Sequence, residues 1–107
     1  MKQRPNPRPT QDANASLKAL AKAFASIDSP AEMEAFLRDL CTPAELEAMA
    51  DRWRVVPLLL QDIPYREIHE RTGVSVTTVG RVARTIEYGA GGYAAAVRLQ
   101  PHLVPSH

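Results

Sequence analysis

Two short runs thirteen positions apart, Ser29-Pro30-Ala31-Glu32 and Thr42-Pro43-Ala44-Glu45, constrain this chain more than any other feature. Each places a hydroxyl where a helix N-cap needs an acceptor and a glutamate three residues further on. Each also puts proline at the first helical position, where a missing N–H costs nothing. The pair predicts a helix over Pro30–Leu40 and a second from Pro43 to about Leu60. Apolar residues recur inside both at helical spacing: Met33, Phe36, Leu37 and Leu40 in one, Leu46, Met49, Trp53 and Val56 in the other. Pro57 removes a backbone donor inside the second, at a cost of about 3 kcal/mol, and predicts a kink there.

The rest of the chain reads the same way. No useful length alternates apolar and polar residues, and no Asn-Gly or Asp-Gly turn separates two β-branched runs, so the expected fold class is all-α with about six helices. Leu17, Leu20, Phe24 and Ile27 predict a helix over Ala13–Ile27. After the break at "QDIP", helices are expected over Tyr65–Thr72, Val76–Tyr88 and Tyr93–Leu99. Residues 1–12, rich in proline, are expected to form an extended, mobile basic arm, 13–99 the folded domain and 100–107 a tail. The glycine-rich "YGAGGY" follows no strand and precedes no Lys-Ser/Thr, so it reads as a helix stop rather than a phosphate loop.

The net charge of +1 is unevenly spread. Lys2, Arg4 and Arg8 stand without an acid in the first eleven residues; residues 12–51 hold three basic and eight acidic side chains, and residues 52–107 hold seven basic and four acidic ones. A polyanion would be met by the arm and the C-terminal half. The single Cys41 forms no intrachain disulfide and belongs to no zinc-ligand spacing, so it reads as a small core residue. No apolar run approaches the 18 or so residues of a membrane span, and a cytoplasmic protein with no membrane partner is expected.

The stretch "HERTGVSVTTVGRVAR", from His69 to Arg84, carries the functional signal. Ile68, Thr72, Val74, Val79 and Val82 fall where a helix-turn-helix packs its inner faces, Gly73 supplies the left-handed turn residue and Ser75 the cap. Thr77, Thr78, Arg81 and Arg84 are left to point outward. Short hydrogen-bonding side chains beside arginines suit a helix that enters the major groove and touches phosphates. Gly80 costs such a helix about 1 kcal/mol relative to alanine, and close approach to a DNA backbone would account for it. The alternative is an adaptor, because some modules of this shape bind proteins. His69 reads as solvated or phosphate-facing, not as a metal ligand, and Trp53 as core. Tyr65, Tyr88 and Tyr93 are open between phosphate contact and core cover. No nucleophile, base or metal set assembles along the chain, so neither catalysis nor a cofactor is expected.

From Leu40 to Tyr93 the combination "TPAE", "RWRV", "YREI", "TGVS", "TTVGRVAR" and "YGAGGY" resembles the Trp repressor superfamily, most closely its YerC/YecD branch. The resemblance implies an intertwined homodimer presenting two helix-turn-helix units to a near-palindromic operator. Carried across by position, Arg66, His69, Val76, Thr77, Thr78 and Gly80 match the family's DNA-facing residues, with Arg84 beside them. Arg52 and Arg81 match two arginines that flank the indole ring in tryptophan-sensing members. The next residue in those members is glycine, and here it is Val82, which is expected to intrude on the ring. Arg52 and Arg81 are then left to phosphates, to ion pairs with acids such as Asp51 and Glu87, or to the carboxylate of a smaller effector.

Overall fold

A computed structural model describes residues 9–104 of the chain. The described residues form six α-helices and a closing 3-10 turn, with no strand: α1 Pro9–Ser26, α2 Pro30–Leu40, α3 Pro43–Leu60, α4 Tyr65–Thr72, α5 Val76–Tyr88, α6 Gly92–Arg98 and the turn Pro101–Leu103. The starts of α2 and α3 and both limits of α4 and α5 fall at the expected residues. Helix α1 begins four residues before the expected Ala13, at Pro9, because a proline in the first turn gives up an amide that has no partner there anyway. Only residues 1–8 of the expected arm lie outside the described residues. In the expected tail, Pro101–Leu103 is wound into the 3-10 turn.

The chain divides into two compact units, residues 1–42 and 43–107. In the first, Ser29 caps α2 by accepting the Glu32 N–H at 3.3 Å, and Phe24 meets Phe36 edge to face with ring centroids 5.5 Å apart. The expected burial is incomplete. Met33, Phe36 and Leu37 are half-buried, Leu40 is 46% exposed and Leu17 64%. Two helices cannot enclose a side chain on every side.

The core lies in the second unit. Val55 and Val56 of α3, Ile68 of α4, Val74 of the turn, and Val79 and Val82 of α5 are all buried, so three helices meet on one apolar centre. Five of these six are valines whose branched Cβ restricts χ1, which limits the rotamer freedom lost on packing. Trp53 stacks on Tyr93 at a centroid separation of 6.4 Å and ties α6 to α3, so both read as core cover. Met49, expected at helical spacing with the core, is 36% exposed. Helix α3 continues through Pro57, and Gln61 Nε2 donates to the Pro57 carbonyl at 3.1 Å just past the helix end.

Candidate nucleic-acid interface

The connection between α4 and α5 is held by four residues in seven positions. Gly73 adopts φ 79°, ψ −5°, a left-handed conformation open to glycine at no steric cost, and its N–H donates to the His69 carbonyl at 2.7 Å. Thr72 Oγ1 donates to the Ile68 carbonyl at 2.7 Å and accepts the Val74 N–H at 3.1 Å. His69 Nδ1 lies 2.8 Å from the Val74 carbonyl. A carbonyl only accepts, so the ring carries its proton on Nδ1 there and leaves Nε2 for an outside partner. Ser75 Oγ then accepts the Thr78 N–H at 3.1 Å and starts α5. These bonds tie the turn to both helices and fix the direction in which α5 leaves it.

That helix has two faces. Val79, Val82 and Ile86 turn toward α3 and α4, while Val76, Thr77, Arg81 and Arg84 are exposed. Arg66 is exposed on α4. The arginines of the chain also divide. Arg38 pairs with Glu34 at 2.8 Å, Arg54 with Asp51 at 3.8 Å, and Arg71 with Glu67, each within one helix. Arg52, Arg66, Arg81 and Arg84 form no ion pair among the described residues. Of the alternatives open to Arg52 and Arg81, ion pairs with Asp51 and Glu87 do not form: Asp51 reaches one turn along its own helix to Arg54 instead. Unpaired guanidinium groups around α5 leave a local positive field for a polyanion.

Three residues stand differently from expectation. Thr78 is half-buried rather than outward, and its Oγ1 accepts from the Ser75 hydroxyl at 3.0 Å, because the cap recruits the nearest hydroxyl as well as the nearest amide. Gly80 is buried: a Cβ there would lie 3.6 Å from the Tyr65 ring and 3.5 Å from Arg84 Nη1. Its bareness is thus filled by this chain's own side chains, the aromatic ring that opens α4 and the guanidinium that folds back along α5. Those separations are ordinary van der Waals contacts. Gly80→Ala is therefore expected to be tolerated and to raise stability by up to about 1 kcal/mol through helix propensity, read as an increase in the urea midpoint. Val82 is 1% exposed, packs into the core and does not line the cleft at Arg52 and Arg81.

Arg52, Arg81 and Thr78 instead line a cleft of about 270 Å³ between α3 and α5 together with Ala44, Glu47, Ala48 and Asp51. Four of its seven walls are charged. No group of histidine, cysteine or carboxylate side chains among the described residues can hold a metal ion. No helix among them is long and apolar enough to cross a membrane.

The sequence model of the Trp repressor protein family matches residues 15–100. The chain belongs to the Trp repressor family. It is 36% identical over 83 residues to the uncharacterised YerC of Bacillus subtilis (strain 168), covering 75% of this chain and 80% of that one. Two crystal structures share the Trp repressor fold. A TrpR-like protein from Eubacterium eligens ATCC 27750 superposes with a TM-score of 0.77 at 28% identity, covering 86% of this chain and 94% of that one. A candidate Trp repressor from Staphylococcus aureus gives 0.78 at 26%, covering 87% and 91%. The Trp repressor family is one of helix-turn-helix DNA-binding transcription regulators rather than a family of enzymes.

Proposed function

We propose that this protein is a sequence-specific, double-stranded-DNA-binding transcriptional repressor that acts as a cytoplasmic homodimer and needs no tryptophan. The observation that carries the reading is the stapled α4–α5 unit, whose outer side presents Thr77, Arg66, Arg81 and Arg84 without an internal ion pair. Rigid support places side chains against base edges and phosphates at little entropic cost, which is what groove reading requires. Val76 and Thr77, at the start of α5, are the base-facing residues in this reading. Thr78 has its oxygen engaged by Ser75 and keeps only its hydroxyl hydrogen for a base or a bridging water. Arg66, Arg84 and the free Nε2 of His69 face phosphates.

The dimer reading draws support from burial. Among the described residues all six buried apolar side chains belong to the second unit, and α2 buries none. Helices with this many apolar residues at helical spacing are stable when a second surface covers them. Independence from tryptophan draws support from the core: Val79 and Val82 pack in one cluster with Val55 and Val56, which together with the hydrogen bonds of the turn holds α5 without a ligand.

One observation favours a second reading, in which a small effector tunes the repressor. The cleft at Arg52 and Arg81 faces two arginines and two acids across a narrow space, a donor set for a small zwitterion: guanidinium for its carboxylate, carboxylate for its ammonium. Ala44 and Ala48 are its only apolar walls, a poor lining for an indole ring.

Sedimentation of the protein, alone and with a genomic fragment recovered by selection for binding, tests the main reading. A dimer at micromolar concentration that binds the fragment as a dimer, and loses it as salt rises, is the expected result. A monomer, or a complex indifferent to salt, would sink it in favour of a protein-binding adaptor.

A further inference from the structure

The outward side of α5 does not stop at the arginines. At 3.6 residues per turn, positions 77, 81, 84 and 88 fall within about 60° of one another, so Thr77, Arg81, Arg84 and Tyr88 make one stripe along the helix. Tyr88 closes it and is 79% exposed, the most exposed of the large apolar side chains. Arg81, Arg84, Thr85, Tyr88 and Gly89 together line a shallow cup of about 240 Å³. Its donors differ in availability. Thr85 Oγ1 is spent on the Arg81 carbonyl at 3.0 Å, whereas the Tyr88 hydroxyl has no partner among the described residues.

We infer that the cup formed by Arg81, Arg84 and Tyr88 takes a single DNA backbone phosphate, with Tyr88 as a hydrogen-bond donor alongside the two guanidinium groups. The inference rests on the DNA-binding reading. Thr77 and Tyr88 are separated by about 16 Å along the axis at 1.5 Å per residue, and the major groove is about 12 Å wide. With Thr77 at base edges, the far end of the stripe lies at the groove wall, where the polyanion presents phosphate oxygens. Arginine and tyrosine are both ordinary donors to those oxygens. The two charges supply attraction, and the rigid phenol adds a directional bond that fixes which phosphate is held. Gly89 keeps the cup open at the helix end: a Cβ there would stand 2.4 Å from the Thr85 carbonyl oxygen, so only glycine lets the chain turn away this tightly.

The test is Tyr88→Phe, which keeps the ring and removes the hydroxyl, measured by anisotropy on a labelled mixed-sequence duplex of about 30 base pairs over a range of salt. Affinity is expected to fall about three- to tenfold at every salt concentration. The salt slope should stay unchanged, because a neutral phenol releases no counterion. In the Arg84→Ala background the same exchange should cost less than it does in the parent, since both groups serve one phosphate. Parental affinity for Tyr88→Phe, or additive losses in the double variant, would overturn the inference. So would a silent Tyr88→Phe accompanied by a Tyr88→Ala that weakens the dimer, which would place the ring against a second copy. A parent that binds no duplex at any salt would overturn the DNA-binding reading itself, a result distinct from a parent that binds and a variant that matches it.

Discussion

Exchanging Arg81 and Arg84 together for alanine is expected to lower affinity for any duplex about 100-fold near physiological salt and to flatten the salt dependence by about one unit, because both charges serve one phosphate. Both side chains are exposed on α5 and neither is held by an acid of this chain, so no internal bond has to break before they meet a phosphate. A charge-assisted hydrogen bond contributes about 1.5 to 3 kcal/mol, and two lost contacts give the stated factor or more. The loss should be equal on selected and random sequences, because phosphate contacts position the helix without reading it. Thermal stability should hardly change, since the exposed pair supports no core residue. Anisotropy titrations at several salt concentrations check this, and a double variant with the parent's slope would remove α5 from the DNA interface.

The contrast between α5's two faces explains how much of the fold was legible in the sequence. Local chemistry marks element ends, and where a hydroxyl, proline or glycine stood at a boundary the reading succeeded: Ser29-Pro30, Thr42-Pro43, Gly73 and Ser75 delimit α2 to α5 as expected. Pro9 is ambiguous in sequence, because proline stops a helix interior and yet suits a first turn, and here it opens α1. Burial was harder to read, since it depends on what stands opposite. Leu40 keeps the helical spacing of a core residue and is 46% exposed.

The candidate site divides along the same line. The exposure of Thr77, Arg81 and Arg84 follows from periodicity alone, whereas periodicity sets Val76 with the inner valines and only the resemblance marks it as outward. Thr78 was misplaced although the signal was present: a hydroxyl three residues after a Ser cap lies within reach of it. The His69 bond to Val74 crosses the turn, and no spacing rule reports it. For Tyr88 the spacing decides between the two alternatives left open, since Arg81, Arg84 and Tyr88 stand at i+4, i+7 and i+11 from Thr77 on one face.

Val82→Gly is expected to be among the most costly single changes in the second unit, because Val82 is 1% exposed in the centre where α5 meets α3 and α4. Removing the buried side chain leaves a cavity worth about 2 kcal/mol, and glycine inside a helix adds about 1 kcal/mol, so a loss near 3 kcal/mol per protomer follows. Trp53, the only tryptophan and packed against the same cluster, reports the loss as a lower urea midpoint in fluorescence. The sequence suggests that this exchange would also reopen room for an indole ring. The geometry points elsewhere, since the cleft at Arg52 and Arg81 is lined by Ala44, Glu47, Ala48, Asp51 and Thr78 and not by Val82. The new space opens in the core, behind the reading helix. The parent should therefore bind its selected fragment within about twofold with or without millimolar L-tryptophan, well inside the 1.4 kcal/mol of a tenfold change. The glycine variant should be weaker in both conditions by the same factor, as α5 loses its anchor. Anisotropy of labelled DNA reads this without interference from free tryptophan. A parent that binds only with tryptophan present, or a Val82→Gly variant rescued by it, would show that the ring still finds its place between the two arginines and that packing alone does not set the angle of α5.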